Sequence, residues 1–85
     1  MKHRVEFTPR AARDLRGLDR REQRRLLARI ERLAEEPRPN GARKIEGEDG
    51  LYRVRQGVFR ILYRVEDARL LVLVIRIRHR QDVYR

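Results

Sequence analysis

Alternating apolar and polar residues mark several stretches of the chain, and a period of two residues predicts β-strands. One short stretch lies near the start, and three longer ones follow each other in the second half. The three longer stretches are separated by one and three residues, and such short connections force neighbouring strands into antiparallel hairpins. The predicted strands are 3–7, 51–56, 58–66 and 70–78, with a further short strand expected at 43–46.

Two helices are predicted between the first strand and the others, because apolar residues there recur at helical spacing. Thr8 and Pro9 are typical of an N-cap and a first helical position, and Asp19 with Glu22 resembles a capping box for the second helix. Pro37 is expected to end that helix. The second helix has an apolar stripe that should pack on a core, formed by Leu26, Leu27, Ile30, Leu33 and Ala34.

This order of elements predicts an α+β fold. We expect the N-terminal strand and an αα-hairpin to pack on one face of an antiparallel β-sheet, in a single domain spanning 1–85. Strict alternation along 70–78 would set Leu71, Leu73, Ile75 and Ile77 opposite Leu70, Val72, Val74, Arg76 and Arg78. The face of the sheet away from the helices is then expected to be apolar at one end and rich in arginine at the other.

The charge of the chain indicates more about its partners than its overall composition does. The 85 residues carry a formal net charge of +10, with a pI near 11.4, and 21 of the 23 basic residues are arginine. Codon bias could explain the preference for arginine but not the positions of the charges. The stretches 51–65 and 68–81 each contain four arginines and no acidic residue. Such an excess of positive charge on a sheet indicates a polyanionic partner, with nucleic acid first.

Several classes of protein are excluded or disfavoured. The chain has no cysteine, which excludes a disulfide framework, a thiolate metal site and a cysteine nucleophile. No signal-peptide segment or membrane-spanning apolar run occurs, so we expect a cytoplasmic protein that does not bind membranes. The acidic segment at 46–50 is more typical of a turn than of a metal site. The second helix is better explained by core packing than by insertion into a nucleic-acid groove.

The last ten residues, RIRHRQDVYR (76–85), combine groups suited to RNA chemistry. Arginines bind phosphate oxygens and stabilise negative charge, but their high pKa makes them poor proton acceptors. His79 could exchange a proton near neutral pH, and Tyr84 could stack on a base. The alternatives remain open that His79 is a bystander near the chain end and that the arginines form an ordinary solvated face.

The chain resembles the RelE/ParE superfamily of toxins from type II toxin–antitoxin systems, and is most similar to the RelE branch. The stretches that carry the resemblance are VEFTPRAARDLRGLD (5–19), RKIEGEDGLYRVRQGVFRILYRVED (43–67) and LLVLVIRIRHRQDVYR (70–85). The resemblance implies a curved sheet and a metal-independent endoribonuclease that cuts mRNA on the ribosome, with no cofactor. It also implies a cognate antitoxin, and binding to operator DNA only through the complex with that antitoxin.

The resemblance also implies roles for single residues. Arg53 and Arg55 match two basic positions, often lysines, on the strand that meets the scissile phosphate. Arg60 matches an arginine that contacts this phosphate, Arg80 matches an arginine credited with charge stabilisation or leaving-group protonation, and Tyr84 matches a tyrosine that stacks on the message.

Three further positions complete the implied site. His79 lies beside Arg80 where many members have a histidine or lysine, and it is the expected proton acceptor because no lysine stands at 53 or 55. Arg78 occupies a position where glycine is common, and is expected with Lys44 to bind RNA. No metal ligands are expected.

Two other functions share the predicted fold. A ParE-like inhibitor of DNA gyrase would cleave nothing, and an inactive relative would only bind RNA or the ribosome. The HRQDVYR ending argues against the ParE-like alternative, because that branch generally lacks this basic and tyrosine-containing constellation.

Overall fold

The structure is a computed structural model that describes residues 2–81. Two helices follow a first strand, and four further strands follow the helices. In chain order the elements are β1 (Arg4–Phe7), α1 (Pro9–Arg16), α2 (Arg20–Glu35), β2 (Arg43–Lys44), β3 (Leu51–Gln56), β4 (Phe59–Glu66), a 3₁₀ turn (Asp67–Arg69) and β5 (Leu71–His79).

The five strands form one sheet in the order β1-β5-β4-β3-β2. The three pairs from β2 to β5 are antiparallel, as the short connections predict, and Gly57 at φ 61° allows the tight turn between β3 and β4. β1 pairs in parallel with the first half of β5, a contact that the sequence pattern does not indicate. The predicted α+β class is confirmed, with the helices on one face of a mostly antiparallel sheet.

Both helices begin where their sequences indicate. The Oγ1 of Thr8 accepts a hydrogen bond from the N–H of Ala11 at 3.1 Å. The Oδ1 of Asp19 accepts one from the N–H of Glu22 at 2.8 Å. These side chains satisfy backbone donors that the first turn of a helix leaves without partners. Among residues 2–81, no helix is long and apolar enough to cross a membrane.

The core lies between the helical layer and one face of the sheet. The predicted apolar face of β4 is buried throughout, and the stripe of α2 packs on it, except that Leu27 is exposed. Tyr63 is fully buried, and its hydroxyl donates to the carbonyl oxygen of Pro37 at 2.7 Å. The main buried residues are Ala11, Leu26, Ile30, Leu33, Val54, Phe59, Ile61, Tyr63, Val65, Val72, Val74 and Ile77.

The expected strict alternation along β5 is wrong beyond Val74. Leu62 on β4 pairs with Arg76, whereas the next residue, Tyr63, pairs with Val74. Ile75 therefore has no counterpart on β4 and forms a β-bulge. Since one extra residue reverses the alternation, Ile77 joins the core face with Val74, and Arg76 lies on the opposite face.

Candidate nucleic-acid interface

Arginines from neighbouring strands lie side by side on the face of the sheet away from the helices. Arg60 on β4 stands between Arg55 on β3 and Arg78 on β5. Arg53 lies two residues before Arg55, and Arg43 pairs with it from β2. Paired residues of antiparallel strands project from the same face, so these five side chains share one surface. We call this set, Arg43, Arg53, Arg55, Arg60 and Arg78, the arginine face.

The arginine face is concave where it approaches the edge of the sheet. One cleft of about 320 Å³ lies at this edge, lined by Gly41, Arg43, Arg53, Val54, Arg55 and Arg60. A smaller depression of about 160 Å³ lies beside it, lined by Arg53, Arg60, Leu62 and Arg78. Arg60 and Arg53 border both, so a ligand that fills the two hollows would contact arginines from four strands.

Four arginines of this surface have no carboxylate partner among the described residues. Within residues 2–81, the side chains of Arg43, Arg53, Arg55 and Arg60 form no hydrogen bond or ion pair. No described acidic residue shares their part of the face. Like charges held this close repel one another, and a bound anion would relieve that repulsion. The forked guanidinium groups suit phosphate in particular.

The arginines at the opposite end of the sheet form ion pairs. There each of four arginines, Arg4, Arg38, Arg64 and Arg69, is paired with a carboxylate. We call these four the paired end.

The most extensive contacts of the paired end surround Asp67, in the turn between β4 and β5. Arg38 reaches Asp67 at 2.8 Å and donates from Nε to the hydroxyl of Tyr52 at 3.0 Å. The buried His3 adds an Nε2–Oδ1 contact of 3.1 Å to the same carboxylate. These bonds, first that of Arg38 and then that of His3, hold the pKa of Asp67 below its usual value of 3.8. The pKa of Arg38 is raised by the same bond to Asp67.

The structure does not bring His79 to the arginine face. His79 pairs with Phe59, and its ring packs edge-on against that ring with centroids 5.5 Å apart, on the helical side of the sheet. Its Nδ1 accepts a hydrogen bond from the backbone N–H of Gln81 at 3.1 Å. The sequence-based role of His79 as proton acceptor for this site therefore has no geometric support.

The remaining predicted residues have mixed placements. Arg80 directly follows β5, and its backbone N–H donates to the carbonyl of Val58 at 2.6 Å, at the same end of the sheet as Arg55 and Arg60. Lys44 is exposed and pairs with Tyr52, so its register assigns it to the helical side. Tyr84 lies outside the described residues.

Arg43 is the residue that sequence reasoning missed. It lines the larger cleft, yet β2 contains only two residues, too few for a periodic pattern to assign a face. Arg76 is not counted in the arginine face, because its Nε donates to Asp14 at 2.9 Å at the edge of the sheet. Among the described residues, no group of three or more His, Asp or Glu side chains could hold a metal ion.

The fold and this face define a class of small, basic α+β protein with arginines clustered on the face of the sheet away from the helices. The family profile for the ParE toxin of the type II toxin–antitoxin system parDE matches residues 5–84. The chain therefore belongs to the RelE/ParE superfamily of type II toxin–antitoxin toxins, and its relatives identify it as a RelE-family toxin.

Relatives by sequence and by structure agree with this assignment. The chain is 34% identical to Toxin RelG of Mycobacterium tuberculosis over 90 residues, covering 100% of this chain and 99% of that one. It superposes with a TM-score of 0.83 and 30% identity on a toxin–antitoxin complex, RelBE2, of the same organism, covering 94% of this chain and 93% of that one. A RelE–RelB complex from Pyrococcus horikoshii gives a TM-score of 0.82 at 28% identity, covering 94% and 97%.

Proposed function

We propose that this toxin is a metal-independent endoribonuclease that cleaves mRNA on the ribosome and thereby inhibits translation. The observation that carries the proposal is the arginine face, whose side chains at 43, 53, 55 and 60 have no carboxylate partner within residues 2–81. Arginines at the paired end of the same sheet do have such partners. Selective absence of counter-charges at one end favours binding of a phosphate backbone over a merely solvated surface.

RNA supplies its own nucleophile, the 2′-hydroxyl. The protein therefore contributes mainly by positioning the RNA and by stabilising the charge that develops on the phosphate. As the 2′-hydroxyl loses its proton to solvent water and its oxygen forms a bond to phosphorus, the bond to the 5′-oxygen breaks. That oxygen takes up a proton, so that a 2′,3′-cyclic phosphate and a 5′-hydroxyl remain. Negative charge accumulates on the phosphate oxygens during this step. Preorganised cations at those oxygens lower the barrier, because they need not reorganise when the charge develops.

The arginine face supplies such cations from rigid strands. Arg60 is central, half-buried and flanked on both sides, and we assign it to the scissile phosphate. Arg53 and Arg55 would hold the adjacent backbone. Arg80 directly follows the strand that carries Arg78 and lies at the same end of the sheet as Arg60. There it would stabilise charge or protonate the leaving oxygen. Stacking of Tyr84 on a base remains a prediction from the sequence.

We also propose that a protein antitoxin neutralises this chain. The related toxins from Mycobacterium tuberculosis and Pyrococcus horikoshii were solved with an antitoxin, named RelB in the second case. A chain of net charge +10 favours an acidic partner that covers the arginines. A small acidic protein encoded in the neighbouring reading frame would support this assignment.

The central test compares wild-type protein with Arg60→Ala, Arg80→Ala and the double variant on programmed ribosomes, by mapping the 5′ ends of the mRNA. We expect each single change to slow cleavage by about 10²–10³-fold, as loss of one charge-stabilising donor typically does. Arg69→Ala is the matched control, because Arg69 is exposed and pairs with Glu66 at the other end of the sheet. Full cleavage and full toxicity of the double variant would refute the proposal.

The same expression experiment addresses inhibition of DNA gyrase, which shares the fold. An endoribonuclease should block translation and leave chromosomal DNA intact. Gyrase-linked DNA breaks without mRNA cleavage would support the ParE-like alternative instead. Solved relatives of this chain include proteins named RelE, which favours the first outcome.

A further inference from the structure

The β-bulge at Ile75 decides which side chains of the chain end join the arginine face. On an uninterrupted strand, residues 76 and 78 would share the face of Val74 and point toward the core. His79 would then lie on the face of Arg60. The bulge reverses this arrangement, so that Arg78 stands beside Arg60 and His79 beside Phe59.

The bulge lies where β5 loses its neighbour on one side. β1 pairs with β5 only as far as Val74, so the backbone of the following residues faces α1 instead of a strand. Thr8 binds two backbone carbonyls here. Its N–H donates to the carbonyl of Val74 at 2.9 Å, and its Oγ1 donates to the carbonyl of Ile75 at 2.8 Å.

Asp14 binds the backbone N–H of Ile77 through a charge-assisted hydrogen bond. One oxygen of its carboxylate, Oδ2, accepts from the backbone N–H of Ile77 and from Nε of Arg76, both at 2.9 Å. The Asp14 side chain is only 18% exposed. Hydrogen bonds to a partly buried charge are among the stronger ones in proteins, and an edge N–H without its acceptor would be costly. Asp14 therefore fastens the bulged segment to α1 immediately before Arg78.

We propose that Asp14 is a positioning residue for the RNA site, which acts through the bulge of β5 to hold Arg78 beside Arg60. The inference rests on the proposed RNA-binding role of the arginine face and adds a residue to it from the helical layer. Asp14 need not touch RNA, since its bonds end on the backbone and side chain of the neighbouring strand. Its effect on RNA should depend on the presence of Arg78.

A double-mutant cycle on RNA affinity tests this dependence. We measure the dissociation constant of a short single-stranded RNA for wild-type protein, Asp14→Ala, Arg78→Ala and the double variant. Each single change should weaken binding by roughly tenfold, the size of one charge-assisted hydrogen bond. The double variant should bind about as well as Arg78→Ala alone, because Asp14 has nothing further to position.

The control replaces a different carboxylate of the helical layer, one that also pairs with an arginine. Glu22 lies 3.7 Å from Arg25 and forms no bond to the sheet, so Glu22→Ala should not weaken RNA binding and should add independently to Arg78→Ala. Amide exchange gives a second readout. The N–H of Ile77 should exchange faster in Asp14→Ala but not in Glu22→Ala.

Additive effects of Asp14→Ala and Arg78→Ala would overturn the positioning role while leaving the RNA-binding face intact. If Arg78→Ala does not change RNA affinity at all, both the role of Arg78 in the proposed function and this inference are overturned. Should Asp14→Ala not fold, Asp14→Asn keeps the size and one acceptor oxygen of the side chain. The same non-additivity with Arg78→Ala, smaller in size, is then expected, and strict additivity would again refute the inference.

Discussion

The two ends of the sheet use the same residue type for opposite purposes. At the paired end, Arg38 and Asp67 connect the segment after α2 to the turn between β4 and β5, with Tyr52 and His3 joined to them. On the arginine face, by contrast, Arg55 and Arg60 stand side by side with no acid near them among the described residues. The number of arginines therefore says little about their role, and the positions of the carboxylates say much more.

The comparison has an energetic consequence. Exposed ion pairs such as those of the paired end are weak, so that end adds only modestly to stability. The neighbouring cations at 53, 55 and 60 repel one another on a rigid sheet and reduce stability slightly, but they need no rearrangement to receive phosphate. Substitutions at the arginine face should thus weaken RNA binding without unfolding the protein. Substitutions at the paired end should lower stability modestly without affecting RNA binding.

The largest effect is expected when two charges are removed from the arginine face. Arg53→Gln with Arg55→Gln should lower the salt dependence of RNA binding, because fewer counterions are released. The slope of log affinity against log salt concentration should fall by about 0.7 for each phosphate of the single strand that is no longer neutralised, or about 1.4 in total. Titrations at several salt concentrations measure this slope.

The matched control removes the same net charge from the paired end. Arg4→Gln with Arg69→Gln should leave the slope and the affinity almost unchanged, because both side chains are already paired with glutamates. Equal reductions in the two double variants would show that RNA responds only to total charge, and the contrast between the ends would disappear.

A smaller effect is expected at Tyr63, on the core side of the sheet. Tyr63→Phe removes the hydrogen bond to the carbonyl of Pro37 and should cost about 1 kcal/mol at neutral pH. Burial raises the pKa of Tyr63 from 10.0 to about 12. The folded state therefore holds this proton more tightly than the unfolded state does. The resulting stability is fully present below pH 10 and is lost as the pH rises through about 12.

Urea unfolding at increasing pH measures this decrease. Wild-type protein should lose more stability than Tyr63→Phe across the alkaline range, while both proteins bind RNA equally well near neutral pH. A variant with the same alkaline profile as wild type would contradict the assignment of that decrease to Tyr63.

Local sequence was sufficient for most elements of the fold and not for their irregularities. Thr8, Asp19 and Pro37 mark helix ends through chemistry within a few residues, so pattern alone locates the two helices. Around the bulge at Ile75, β5 is hydrogen-bonded to Thr8 and Asp14, which are more than 60 residues away in sequence. No periodicity within β5 can reveal a constraint that α1 imposes.

The same limit explains what was predicted of the site. Arg53, Arg55 and Arg60 share a face because β3 and β4 alternate regularly, and the sequence indicates that face. His79 was expected to serve the site because it lies beside Arg80 and no lysine stands at 53 or 55, whereas the register of β5 sets it beside Phe59 on the helical side. Sequence thus locates site residues on regular strands, whereas beyond an irregular position only the three-dimensional contacts assign them.

The smallest expected effect concerns Asp67 at the paired end. Its pKa is lowered, chiefly by the bond to Arg38 and then by that to His3, so the folded state favours the charged carboxylate. That contribution to stability is present above the ordinary pKa of 3.8 and is lost as the pH falls through the lowered value. Asp67→Asn should therefore flatten the acid side of the stability profile slightly, since Asp67 is exposed to solvent, as measured by urea unfolding midpoints.

The control for this change is Asp49→Asn, because the Asp49 side chain is exposed and forms no hydrogen bond or ion pair within the described part of the chain. It should leave the acid profile as in wild type. Neither variant should alter RNA affinity near neutral pH, since Asp67 and Asp49 both lie away from the arginine face. A change in RNA affinity in Asp67→Asn alone would mean that the two ends are coupled through the strands, and that the paired end helps to set the arginine face.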